Sequence, residues 1–182
     1  MKYFLLTLKK MLRYLLKPLS FLPALCMMYL IYSFSAQTGL QSSQLSLTVS
    51  EKLLTIANRS LALGLDSGQL ANYVLVIHLY IRKLAHVTEY FLLAVSIALP
   101  LYVYRLRGFW LVLITGIFCV CFACLDEYHQ TFISGRSPSL RDVGIDSIGI
   151  FIGIYMTRIL GFIGRKTIFA PLSLKMTESY KK

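Results

Sequence analysis

Four apolar stretches, near residues 19–36, 84–104, 109–125 and 143–161, each come close to the roughly 20 helical residues that a hydrocarbon core requires. They predict four transmembrane helices. Between the first two lies a long segment, 37–80, which opens rich in Ser and Gln and then carries Leu45, Val49, Leu53, Ile56 and Ala57 at helical spacing, with Glu51 and Lys52 on the other side. That periodicity predicts an amphipathic helix on the outer membrane surface. Asp66, Ser67 and Gly68 mark a break. Residues 70–81 are apolar again and run directly into Arg82, so they read either as a second interfacial helix or as an outward extension of the second span. The turn around Arg107 and Gly108 is only a few residues long, which makes the second and third spans antiparallel neighbours. Gly149 and Gly153 form a small-xxx-small pair on the fourth span, where another helix can approach closely. The expected fold is a single all-α membrane domain over residues 1–182: a bundle of four transmembrane helices plus one or two interfacial helices on the outer side, with a tail at 166–182.

Composition agrees with the pattern. Hydrophobic residues make up 57% of the chain and the mean hydropathy is +0.65, far above ordinary soluble domains. The net charge of +11 raises the question of nucleic acid. The basic residues flank the spans, however, instead of forming a stripe on a soluble face, so anionic lipids are the expected partners and nucleic acid is not. With the N-terminus inside, 13 of the 19 Lys and Arg residues fall on the cytoplasmic side, which predicts a multi-pass plasma-membrane protein with both termini cytoplasmic. Residues 1–17 resemble a signal-peptide n-region but read as part of an uncleaved anchor. Cys26 stands alone, and Cys119 and Cys121 point to nearly opposite faces of the one apolar helix that also holds Cys124; they read as packing residues, not as a metal cluster.

The candidate chemistry gathers at one end of three spans. On the second span, Arg82, His86 and Glu89 share a face, and Lys83, His86 and Tyr90 share an overlapping one. The third span ends in Asp126 and Glu127, with Gln130 following; carboxylates at a helix C-terminus oppose the macrodipole and call for a cationic partner. Ser134, Gly135 and Arg136 then supply a turn and a guanidinium, and Pro138 stops the helix from continuing. Asp142 and Asp146 stand one turn apart at the start of the fourth span, where an N-terminus favours negative charge. Under the expected topology all three elements meet on the outer side. Ionisable groups at membrane depth are costly unless paired or wetted, so they mark a functional site.

These residues resemble the pattern of the VanZ-like family: Lys83, His86 and Tyr90, then Glu127, Gln130, Gly135 and Arg136, then Asp142, Gly149 and Gly153. The resemblance covers about residues 20–160. Position 146 departs from it, with Asp146 where the pattern has Asn, and His129, outside the pattern, reads with Tyr128 as a packing residue. The resemblance implies a bacterial cell-envelope protein of a family with members linked to reduced susceptibility to teicoplanin-type lipoglycopeptides. It brings no catalytic mechanism and no cofactor.

Two functions follow. In the first, Lys83, Tyr90, Gln130, Arg136, Asp142 and Asp146 bind an anionic amphiphile at the outer leaflet, a lipid headgroup or cell-wall precursor, and a lipoglycopeptide is a further candidate partner. In the second, the protein is a membrane enzyme acting on a lipid or isoprenoid-phosphate substrate, with His86 as general base and Glu89 or Glu127 orienting it. The chain holds no Ser nucleophile motif, HExxH helix or phosphate loop, which tilts the reading toward binding. Ion conduction ranks last, because the inner halves of spans two and three lack polar residues.

Overall fold

The computed structural model describes residue 11 and residues 18–166, and every regular element among them is helical. A 3-10 turn, Pro18–Phe21, leads into α1 (Leu22–Ser35); α2 (Gly39–Ser60), α3 (Ser67–Val103), α4 (Gly108–Gln130) and α5 (Leu140–Lys166) follow. Four segments are long and apolar enough to cross a membrane: Pro18–Ser35, Ser67–Val103, Gly108–Gln130 and Leu140–Ile163. The chain is an all-α, multi-pass membrane protein. The basic N-terminal stretch and the tail beyond Lys166 lie outside the described residues.

The second span departs most from the sequence pattern. Residues 70–81 continue it: Asp66 caps α3 through a reciprocal capping box with Gln69, and no helix breaker occurs until Pro100 in the last turns. At about 1.5 Å per residue, the 37 residues of α3 form a rod far longer than the ~30 Å hydrocarbon core. One helix, α2, therefore accounts for the expected interfacial structure.

Thr38 and Gln41 form the capping box that starts α2. At its other end the Asn58 side chain donates to the Leu65 carbonyl and accepts from the Leu65 N–H, both at 3.1 Å, closing a hairpin between α2 and α3. The face that α2 turns inward is the small one, with Gly39, Ser46 and Ser50 buried. Ser46 and Ser50 spend their hydroxyls on carbonyls of their own helix, so this face approaches α3 without leaving a donor unpaired. The apolar stripe of Leu45, Val49, Leu53 and Ile56 faces outward instead. It is available to lipid.

The bundle is closed by α5 lying along α3. A Cβ on Gly149 would sit 2.1 Å from the Val87 carbonyl oxygen, and one on Gly153 would sit 2.7 Å from that of Phe91; only glycine permits this backbone approach. Tyr90, Leu93, Ala94 and Ile97 of α3, Cys119 and Ala123 of α4, and Ile150 and Ile154 of α5 form the core. Cys121 and Cys124 face outward, and all four cysteines are free.

Candidate functional site

The linker between α4 and α5 is the piece that assembles the polar end. Gly135 adopts φ +72°, a left-handed conformation that glycine allows, and the Gly39 N–H donates to the Ser134 carbonyl at 3.0 Å. The two glycines touch so closely that a Cβ on Gly39 would lie 1.9 Å from the Gly135 carbonyl oxygen. This contact carries Arg136 over the end of α1, where its Nε–H donates to the Gln37 carbonyl at 3.1 Å and its Nη2–H to the Phe34 carbonyl at 2.9 Å. The guanidinium thus satisfies carbonyls that a helix C-terminus leaves open.

Beneath the linker lies a polar cavity of about 100 Å³, lined by Arg82, Lys83, His86, Glu127, Gln130, Arg136 and Asp142 together with Gly135 and Ser137. Lys83 donates from Nζ to Asp142 Oδ1, tying α3 to the first turn of α5. Glu127 accepts the Ser139 N–H at 2.7 Å, so a backbone donor, rather than the cationic side chain expected for this helix end, meets its carboxylate. Gln130 Nε2 donates to Asp126 Oδ2 at 3.3 Å. His86 Nδ1 and Glu89 Oε2 are 3.9 Å apart, too far for a hydrogen bond.

Seven side chains singled out from the sequence, those of Arg82, Lys83, His86, Glu127, Gln130, Arg136 and Asp142, therefore line one cavity. The others stand apart from it. Glu89 lines a neighbouring groove, while Tyr90 and Asp146 are buried below at 0% and 2% exposure. Tyr90 sits among the acidic side chains of Asp126, Asp146 and Glu89. His129 packs its ring 4.9 Å from that of Tyr32, joining α4 to α1. Among the described residues no three His, Cys, Asp or Glu side chains converge to hold a metal ion.

The groove is a second cavity of about 210 Å³ between α1, α2 and α3, with Phe34, Leu45, Val49, Ile81 and Ala85 on its walls. It shares Arg82, His86 and Arg136 with the polar cavity. Arg82 joins neither pattern residue nor carboxylate; its one hydrogen bond is a 3.4 Å contact from Nη1 to Ser43 Oγ. Burial and the nearby Arg82 charge hold the Arg136 pKa below the usual guanidinium value. Two guanidiniums that repel each other across a half-buried cleft are relieved by an anion between them. The sequence does contain a signal for Arg82, its i, i+4 spacing to His86, but only the fold sets it against Arg136.

A family model described as VanZ/LLP1 matches residues 20–161. No curated protein and no solved structure matches the chain.

Proposed function

This chain belongs to the VanZ/LLP1 family, and we propose that it holds an anionic amphiphile in the outer leaflet of a bacterial plasma membrane, lowering susceptibility to teicoplanin-type lipoglycopeptides. The observation that carries this reading is the junction of the two cavities. An apolar groove of about 210 Å³ meets a polar cavity of about 100 Å³ at Arg82, His86 and Arg136. A hydrocarbon tail gains by leaving water along Phe34, Leu45, Val49 and Ile81, and a phosphate or carboxylate at the junction meets both guanidiniums. The nearby acids are partly engaged elsewhere: Asp142 pairs with Lys83, and Glu127 accepts the Ser139 amide. Held there, a cell-wall precursor or lipid would present its headgroup differently to a drug that recognises it.

The test is direct binding. Purified protein is titrated with an isoprenyl monophosphate and with the matching neutral alcohol, and the phosphate is expected to bind at least about tenfold more tightly, the scale of one charged hydrogen bond. Equal affinities would refute the anion site. Lipid extracts from cells with and without the protein separate binding from catalysis, since a new or missing lipid species requires chemistry that binding alone does not supply.

A further inference from the structure

At the opposite end of the bundle is a cavity of about 410 Å³ between the end of α3, the start of α4 and the second half of α5, lined by Tyr102, Arg107, Gly108, Tyr155, Arg158, Ile159 and Phe162. We propose that this cavity is a second, separate lipid site, which takes the phosphodiester headgroup of an anionic glycerophospholipid from the membrane leaflet facing away from the polar cluster.

Its two guanidiniums are arranged alike. Arg107 lies over the Tyr102 ring at 5.3 Å from the centroid, and Arg158 lies over the Tyr155 ring at 5.4 Å. A ring contact holds each cation without neutralising it, and a guanidinium remains able to meet a phosphate in a bidentate pair. Neither arginine forms a salt bridge among the described residues. The described helices around them carry no acid: no Asp or Glu occurs from residue 90 to residue 125 or from residue 147 to residue 166. Arg105 adds to the positive field at the same turn.

The cavity also has the shape of a headgroup seat. Tyr102 lies against the backbone of α5 at Gly161, where a Cβ would fall 2.5 Å from the ring, so the ring forms a floor. Ile159 and Phe162, both about half exposed, border the rim and offer acyl chains an apolar path from the seat into the bilayer. Basic pockets between helices at a membrane face recognise anionic headgroups on these grounds. A soluble phosphate would use the same arginines but gain nothing from Ile159 and Phe162.

The chain supplies its own reporter. Its single tryptophan, Trp110, stands two residues from Gly108 at this end of α4. The polar cluster is about 20 residues of α3 away, roughly 30 Å, so quenching of Trp110 does not report the site proposed above. Full-length protein is reconstituted in phosphatidylcholine vesicles containing chain-brominated phosphatidylglycerol or chain-brominated phosphatidylcholine, and Trp110 quenching is compared. Preferential quenching by phosphatidylglycerol is expected, with a relative affinity roughly fivefold greater for each arginine engaged. The R107Q/R158Q variant should lose the preference. Should that variant fail to fold, Gly161→Ala keeps both charges while its methyl displaces the Tyr102 ring, and it should reduce the preference by severalfold. Equal quenching by the two lipids in the wild type, or a preference unchanged in the variants, overturns the proposal. Abolition of the preference by millimolar inorganic phosphate at constant ionic strength overturns the lipid assignment in favour of a soluble anion.

Discussion

Arg136 Nη2 donates to the Phe34 carbonyl at 2.9 Å, across a sequence separation of 102 residues. The residue that looks most like a ligand-binding guanidinium is therefore also a clasp between the α4–α5 linker and the end of α1. Arg82, on the far side of the same cleft, has only the long contact to Ser43. The two arginines share a cavity but not a role.

Substituting each by lysine should separate those roles. Arg136→Lys cannot reach both the Phe34 and Gln37 carbonyls, and losing one such hydrogen bond costs about 0.5–1.5 kcal/mol; both thermal stability and isoprenyl-phosphate binding should fall. Arg82→Lys loses the fork and only the long 3.4 Å contact to Ser43, so binding should weaken while stability changes little. Thermal unfolding in detergent, paired with the binding titration, distinguishes them. Equal stability losses would show that Arg136 is not a clasp.

Lys83 and Asp142 offer a charge reversal. The pair is partly exposed, at 40% and 27%, and exposed pairs couple by roughly 0.2–1 kcal/mol. Either residue reversed alone should lower membrane abundance, and Lys83→Asp combined with Asp142→Lys should restore much of it. A double variant no better than the worse single one would mean that the pair does not hold α3 to α5.

At Gly149 the partner is backbone, the Val87 carbonyl, which cannot rotate aside as a side chain can. Gly149→Ala should destabilise the bundle by about 1–3 kcal/mol, the cost of overpacking. Gly144 has nothing within 4 Å of an added Cβ, so Gly144→Ala should be neutral or gain up to about 1 kcal/mol of helix propensity. Unfolding midpoints of the two variants test the contrast, and matching midpoints would contradict the close α3–α5 approach.

Orientation is tested by labelling. In a background lacking Cys26, Cys119, Cys121 and Cys124, a cysteine at Gln44 should react with an impermeant maleimide added outside intact cells, and one at Arg105 only after permeabilisation. The reverse pattern would place both termini outside.

The spans and the polar end were legible because apolar runs broken by charge at spacings of three and four leave few other readings. That logic picks out Lys83, His86, Glu127, Gln130, Arg136 and Asp142, which the fold sets around one cavity. Three features were not legible. Residues 70–81 are apolar without a periodicity that separates a surface helix from a span, and the capping box of Asp66 and Gln69 decides only where a helix starts. The inward face of α2 was hidden because Gly39, Ser46 and Ser50 are ordinary loop-like letters, made into an interface by the closeness they permit. The clasp role of Arg136 was invisible for a different reason: its acceptors are main-chain carbonyls, which every residue has.

One consequence of the unbroken α3 concerns insertions and deletions. Its N-terminal turns carry the surface against which the serine face of α2 packs, and the turns that follow carry Arg82, Lys83 and His86, with no joint between them. Adding or removing one residue anywhere from 68 to 81 would rotate one set of turns against the other by about 100° and slide it by about 1.5 Å, turning one of the two surfaces away from its partner. Length in that stretch is thus as constrained as any side chain in the cleft, whereas the short connection from Leu61 to Leu65 can vary in length without altering that phase.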